Sequence, residues 1–168
     1  SANGIFRLEA LVVRLIGMLL GLGMIVMVAV NVANAVGRYS GLFALVGADE
    51  LLVYGMIWIV MLGAILAARD RSHLSINLLP SAVSGRSATA LQIGIGLVTV
   101  AVCAFVAWQS FDFVQRIASL NQASMGLGIP MVVPHSAILV GFGGIAAVTA
   151  VLTALDIARF ASAEEVSD

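Results

Sequence analysis

The chain has 168 residues, of which 61% are apolar and only 10% charged. Soluble domains carry about 45–50% apolar and about 25% charged residues, so this composition indicates an integral membrane protein. With eight arginines, no lysine and a net charge of -1, the sequence offers no basic patch for nucleic acid. A single cysteine, Cys103, excludes a disulfide scaffold.

All charged residues lie outside four uncharged segments, residues 15–37, 51–68, 87–111 and 117–155. At 1.5 Å per residue the shortest segment would span about 27 Å, close to the roughly 30 Å hydrocarbon core of a bilayer. Pro130 and Pro134 divide the last segment and favour a helix start near Met131. We therefore predict a single all-α integral membrane domain with four transmembrane helices, at about 10–37, 48–69, 86–110 and 131–157.

The arginines predict the orientation of these helices. Six of them flank the spans on one side, at positions 7, 14, 69, 71, 86 and 159, and only Arg38 and Arg116 lie on the other. Because arginine is enriched in cytoplasmic loops, both termini and the middle loop are expected in the cytoplasm. Residues 74–84 in that loop are apolar but too short to cross, which predicts a short interfacial helix or a re-entrant turn.

The third helix is expected to continue beyond its membrane span. Asp112 and Arg116 have i, i+4 spacing and stand among apolar residues, which is typical of a helix that enters the aqueous layer. Gly126 and Gly128 are where we expect that helix to break.

Polar side chains at the outer end of the first helix share one face. Asn31, Asn34 and Arg38 fall at i, i+3 and i+7. Amides facing lipid would be unfavourable, so these residues should face protein. Two interpretations stay open, a polar seam inside this four-helix unit or a contact with another subunit.

A second stripe lies on the second helix, where Glu50, Tyr54 and Trp58 repeat at i, i+4 and i+8. Glu50 also suits a helix N-terminus, where the dipole favours negative charge. A tryptophan N–H that lies deeper than the interface needs a hydrogen-bond partner, so this face is also expected to meet protein.

The sequence lacks the chemistry of an independent transporter or an enzyme. No ionisable residue lies at mid-membrane depth, where ion and proton carriers place one. His73 and His135 are predicted on opposite sides of the membrane and cannot form a haem ligand pair. No metal-binding or hydrolase motif is present. We predict no cofactor, no metal and no enzymatic activity.

Three groups of residues carry a resemblance to a known family. One is the motif 34–39, NAVGRY, and another is GIPM at 128–131 followed by Gly141 and Phe142. The central group comprises Glu50, Trp58, LGA at 62–64, Arg69 and HLSI at 73–76. Over residues 31–157 the chain resembles the small, four-helix membrane subunit (DctQ-like) of TRAP transporters, the tripartite ATP-independent periplasmic solute importers. Asn77 departs from the pattern, since the family often has an acid there.

The resemblance implies a function and partners. A small subunit of this kind scaffolds a large membrane subunit of about twelve helices, which carries the sodium and substrate sites for uptake of an organic acid. A periplasmic solute-binding protein delivers the solute, and the complex lies in the bacterial inner membrane. The alternatives are an autonomous small oligomeric transporter or channel, and the membrane anchor subunit of an enzyme.

Within the resemblance, the candidate residues are structural or partner-facing: Asn31, Asn34, Arg38, Glu50, Tyr54, Trp58, Arg69, His73, Asp112 and Arg116. Arg69 is expected to fix topology and to meet anionic lipid headgroups. His73 is expected to make hydrogen bonds in the cytoplasmic loop, with a pH-sensitive contact as the alternative. The segment from Asp112 to Gln122 is expected to touch the solute-binding protein.

Overall fold

A computed structural model of the chain describes residues 2–70 and 86–165, with side chains for 10–70 and 87–162. It contains four helices, α1 (Ala2–Ser40), α2 (Ala48–Arg69), α3 (Arg86–Ser119) and α4 (Val132–Glu165). Each is long and apolar enough to cross a membrane. The prediction of an all-helical chain with four spans is confirmed.

Helix α3 is longer than its predicted span and ends at Ser119, before the glycines where we expected the break. The backbone N–H of Leu120 donates to the carbonyls of Arg116 and Ile117. Asn121 then adopts a left-handed conformation with φ of 48°. Asparagine tolerates this conformation and commonly follows a helix C-terminus, so Asn121 ends α3 where a glycine was expected to do so.

The four helices form an open row in the order α1, α2, α4, α3. Helix α1 packs on α2, α2 packs on α4, and α4 packs on α3, and among the described helices no other pair is in contact. The close approaches occur at glycines: Met27 lies over Gly55, Met61 over Gly141, and Thr153 over Gly96. Helices that follow one another in the chain, α2 and α3, are therefore not neighbours.

An open row buries little of its own surface. Within the described residues the buried apolar side chains are those of Pro134 and of Ala48, Ala68, Cys103, Ile117 and Ala137, among which only Ile117 is large. Most large apolar side chains of α1 are exposed, and Gly17 and Gly21, the GxxxG pair of α1, have no neighbour within 4 Å of a Cβ placed there. Such a surface suits lipid or another membrane protein and not water.

Two loops lie at one end of the row, residues 41–47 between α1 and α2 and residues 120–131 between α3 and α4. We call this the two-loop end. The α3–α4 loop is folded on itself, since Ser124 donates its N–H to the Ile129 carbonyl (2.9 Å) and Met131 donates to the Gln122 carbonyl (2.9 Å). The predicted interfacial helix at 74–84, and His73 before it, lie outside the described residues.

Candidate functional site

Glu50, in the first turn of α2, joins that helix to the α3–α4 loop. Its Oε1 accepts the backbone N–H of Gly126 at 2.8 Å, and its Oε2 accepts the N–H of Leu127 at 3.0 Å. Both carboxylate oxygens are thus bound by consecutive N–H groups of a segment that is distant in sequence. Hydrogen bonds to a charged acceptor are stronger than neutral ones, so this contact fixes the loop over the start of α2.

Two glycines allow this contact. A Cβ placed on Gly126 would lie 3.1 Å from the Glu50 Cδ, so a side chain there would push the carboxylate away. Gly47, the N-cap of α2, has φ of 80° and is covered by Leu127, whose Cδ2 would be 2.6 Å from a Cβ at that position. Gly47 is required both for its left-handed backbone and for the close approach of Leu127.

Tyr54 and Trp58 continue the stripe from Glu50 along α2 toward the start of α4. The Tyr54 hydroxyl lies 3.4 Å from the Met131 sulfur. The indole N–H of Trp58 donates to the backbone carbonyl of Val133 at 3.1 Å. The stripe Glu50, Tyr54 and Trp58 therefore faces the α3–α4 loop and the first turn of α4 in its own chain.

The three polar residues of α1 have separate surroundings. Asn34 is buried, and its Oδ1 accepts the backbone N–H of Leu45 at 3.1 Å, which holds the α1–α2 loop against α1. Arg38 is exposed, with its guanidinium 4.0 Å from the Asp49 carboxylate. Asn31 is exposed on the outer helix of the row. Only Asn34 takes part in the packing of the described chain.

The remaining candidates are spread over both ends of the row. Arg69 lies 3.4 Å from the carboxylate of the adjacent Asp70 at the end of α2. Asp112 is partly buried and Arg116 exposed near the end of α3, and no ion pair joins these two described residues. His73 lies outside the described residues. The structure thus brings Glu50, Tyr54 and Trp58 together with one loop and leaves the others apart.

The two-loop end also contains a shallow groove that the sequence did not reveal. Its volume is about 290 Å³, and it is lined by α3, the α3–α4 loop and the start of α4, at Ile117, Ala118, Asn121, Gln122, Ala123, Pro130 and Val132. Beside it, the rings of His135 and Phe113 lie 5.1 Å apart, and the His135 Nδ1 is 2.7 Å from the Met131 carbonyl oxygen.

Sequence patterns could not identify the groups that bind the α2 stripe. They are mostly backbone atoms, the N–H groups of Gly126 and Leu127 and the carbonyl of Val133. The one available signal was the pair of glycines at 126 and 128, since glycine permits close backbone approach. These contacts hold the α3–α4 loop and the helices together. Among the described residues no group of three His, Cys, Asp or Glu side chains could bind a metal.

A family model described as the DctQ component of tripartite ATP-independent periplasmic transporters matches residues 24–159. The chain is 25% identical over 127 residues to the isethionate TRAP transporter permease protein DctMQ of Oleidesulfovibrio alaskensis, covering 72% of this chain and 20% of that protein. It is 27% identical over 135 residues to the ectoine TRAP transporter small permease protein TeaB of Halomonas elongata, covering 80% of this chain and 70% of that protein. The chain therefore spans only a fifth of the first relative and more than two thirds of the second.

The Glu50 contact predicts the effect of a substitution that keeps the shape of the side chain. In Glu50→Gln an amide NH₂ replaces one acceptor and faces a backbone N–H, so one hydrogen bond is lost and a donor is left unpaired. Because these hydrogen bonds are exposed and water can replace the lost partner, we expect a modest effect, roughly 2- to 10-fold faster amide exchange at Gly126 and Leu127. Hydrogen exchange of the detergent-solubilised protein, read by mass spectrometry, measures this.

The matched control is Asp49→Asn, which changes the neighbouring acid. Asp49 is exposed and has only the 4.0 Å contact with Arg38, so we expect no change in exchange at the loop. Equal exchange in the two variants would contradict the role assigned to Glu50.

Proposed function

The chain belongs to the DctQ family of TRAP transporter components and is a small subunit of such a transporter, and from this premise we propose that it scaffolds a large transport subunit during sodium-coupled uptake of an organic acid. The family is a transporter component, so the chain is a multi-pass membrane protein and not an enzyme. The observation that supports a scaffold most directly is the open row of helices with little buried surface.

The open row supports a scaffold because it provides a broad surface for another membrane protein. A transporter that works alone usually encloses its substrate path between helices or repeats. Here α1 and α3 lie at opposite edges without contact, and no helix closes the row among the described residues. The exposed apolar side chains on α1, including Leu19, Leu22 and Ile25, offer a long surface for a partner helix.

The charge distribution supports placing the transport chemistry in another chain. Ionisable groups inside a membrane normally mark the ion or substrate path. In this sequence residues 15–37, 51–68 and 87–111 contain no Asp, Glu, Lys, Arg or His, and residues 132–155 of α4 contain only His135, in the first turn of that helix. We therefore assign the sodium and solute sites to a large membrane subunit of about twelve helices.

The solute is proposed to be a small organic acid. The two relatives carry isethionate and ectoine in their names, an organic sulfonate and a zwitterionic carboxylate. Different solutes in relatives that both resemble this chain fit a subunit that does not choose the solute. A periplasmic solute-binding protein would make that choice and deliver the solute.

The candidate residues divide into two proposed groups. Asn34, Glu50, Tyr54 and Trp58 hold the two-loop end in place through contacts within the chain. The other candidates are proposed to meet partners or lipid, namely Asn31, Arg38, Arg69, His73, Asp112 and Arg116. Arg69 and His73 belong to the predicted cytoplasmic side, where anionic headgroups attract arginine.

The scaffold proposal predicts what the chain purifies with and what it does alone. When the tagged chain is expressed together with its large membrane subunit, we expect the two to co-purify in mild detergent. In proteoliposomes the chain alone should give no uptake, whereas the pair with the binding protein should give sodium-dependent uptake of an organic acid. Uptake by the purified chain alone would overturn the proposal, as would purification of a large subunit that is fully active without it.

The proposed location is the bacterial inner membrane with both termini in the cytoplasm. Six of the eight arginines are predicted on one side of the membrane, which supports this orientation. A phosphatase reporter, active only in the periplasm, should be inactive when fused after Asp168 and active when inserted in the 41–47 loop. The opposite pattern would reverse the orientation.

The segment from Asp112 to Gln122 is proposed to contact the solute-binding protein. Arg116 is exposed at the two-loop end, next to the groove. Arg116→Glu should weaken docking of the binding protein by roughly 1 kcal/mol, about fivefold in Kd, with a slower association rate. Arg159→Glu, near the opposite end, is the matched control, and equal docking by both variants would remove the contact.

A further inference from the structure

The uncharged segments of the four helices are not level with one another in the row. The midpoint of each uncharged segment in the sequence is Val26 in α1, Ile59 in α2, Gly143 in α4 (taking residues 131–155) and Thr99 in α3. Between α1 and α2, Ile59 lies against Gly23, with its Cδ1 3.2 Å from a Cβ placed there. The midpoint of α1 is therefore displaced from that of α2 by about 5 Å toward the two-loop end.

The displacement continues in the same direction from α2 to α4. Met61 lies against Gly141, with its sulfur 2.6 Å from a Cβ at that glycine, and Ile65 lies against Gly144. Along the helix axes, the midpoint of α2 therefore lies at the same height as the residue of α4 that is about one turn before Gly143. In α4 the uncharged segment is shifted by roughly 6 Å toward the end opposite the two loops.

The step from α4 to α3 is the largest. Gly96 packs against Thr153, and Phe113 lies beside His135, so Gly143 is level with a point near residue 106 of α3. The midpoint of α3 lies about two turns nearer the end opposite the two loops. All three steps have the same sign, and together they amount to about 20 Å.

We propose that the row lies obliquely in the bilayer, with its helices inclined by about 40° from the bilayer normal within the plane of the row. This angle follows because a displacement of about 20 Å accumulates over three helix spacings of about 8–10 Å. Lipid hydrocarbon then contacts a diagonal band that follows the uncharged segment of each helix. In α1 this band is nearer the two-loop end, and in α3 it is nearer the opposite end. The inference depends only on the chain spanning a membrane and not on the proposed function.

The lengths of the uncharged segments support this placement independently. Residues 87–111 of α3 and 131–155 of α4 each rise about 38 Å, which exceeds a hydrocarbon core of about 30 Å and is accommodated by tilting. Helix α2 is the exception, because its uncharged segment rises only about 27 Å and does not exceed the hydrocarbon core. Its Glu50 is bound by backbone N–H groups, and Arg69 can extend its side chain to the headgroups.

Two residues of α3 distinguish the oblique row from an upright one. In a row with helix axes along the bilayer normal, Trp108 would lie near the bilayer centre and Asp112 in hydrocarbon, where a charge is costly. In the oblique row the α3 axis at Trp108 lies about 10 Å from the bilayer centre, from where the indole reaches toward the interface in which tryptophan is enriched, and Asp112 lies at about 15 Å, the edge of the hydrocarbon core. Trp108 is 71% exposed in the structure, so its own chain does not surround it.

Nitroxide depth measurements test the proposal with pairs of exposed residues on one helix. Single cysteines would replace Ile25, Leu19, Leu97 and Phe105 in a Cys103→Ala background, in vesicles of phosphatidylethanolamine and phosphatidylglycerol. Accessibility to oxygen and to a nickel chelate then gives the depth of each label. The oblique row predicts Ile25 deeper than Leu19 by about 7 Å and Leu97 deeper than Phe105 by about 5 Å. Reversal of the order in either pair would overturn it.

A second measurement needs no cysteine. In Trp58→Phe, Trp108 is the only tryptophan, and its emission can be quenched by lipids brominated at different depths. The oblique row predicts the strongest quenching by bromine near the headgroup. Strongest quenching by bromine near the chain end would place Trp108 at the bilayer centre and reject the proposal. Co-purification with a large subunit is unaffected by either result, so failure here and failure of the scaffold function are separate.

Discussion

The whole arrangement depends on the way helices associate in lipid. In hydrocarbon, apolar side chains gain little by leaving the solvent, so helices are held by close packing at small residues and by hydrogen bonds. This row has both. Glycines 55, 141 and 96 admit side chains from the neighbouring helix, and Glu50 and Trp58 bind backbone groups of the α3–α4 loop and α4. Such packing does not require a closed bundle, and the exposed faces remain for lipid or a partner.

The sequence was most informative about the helices themselves. Charged residues bounded the uncharged segments, and the predicted limits of α2, 48–69, match the structure at both ends. The end of α3 was missed because it depends on the left-handed conformation of Asn121, whereas the glycines that we expected to end the helix serve in the loop. Local sequence shows which residues permit an unusual conformation but not which of them adopts it.

The order and register of the helices could not be predicted, and neither could the partners of the α2 stripe. Periodicity indicated that Glu50, Tyr54 and Trp58 share a face, but it carries no information on which helix meets that face. Two of the groups they contact, the N–H of Gly126 and the carbonyl of Val133, are backbone groups that every residue except proline carries, so they have no residue signature. The GxxxG pair of α1, Gly17 and Gly21, illustrates the converse, since this spacing permits close helix packing but both glycines are open in the described chain.

The row order has a consequence for biosynthesis. Helix α2 packs against α4, which is synthesised after α3, and not against α3, which follows it directly. While α3 is being made, Glu50 and the indole N–H of Trp58 have no protein partner and must be accommodated by water or headgroups. The two halves of the chain therefore cannot assemble one helix at a time. Assembly of this interface waits until α4 has been made, and a chain released before α4 would carry an unsatisfied polar stripe that membrane quality control could recognise.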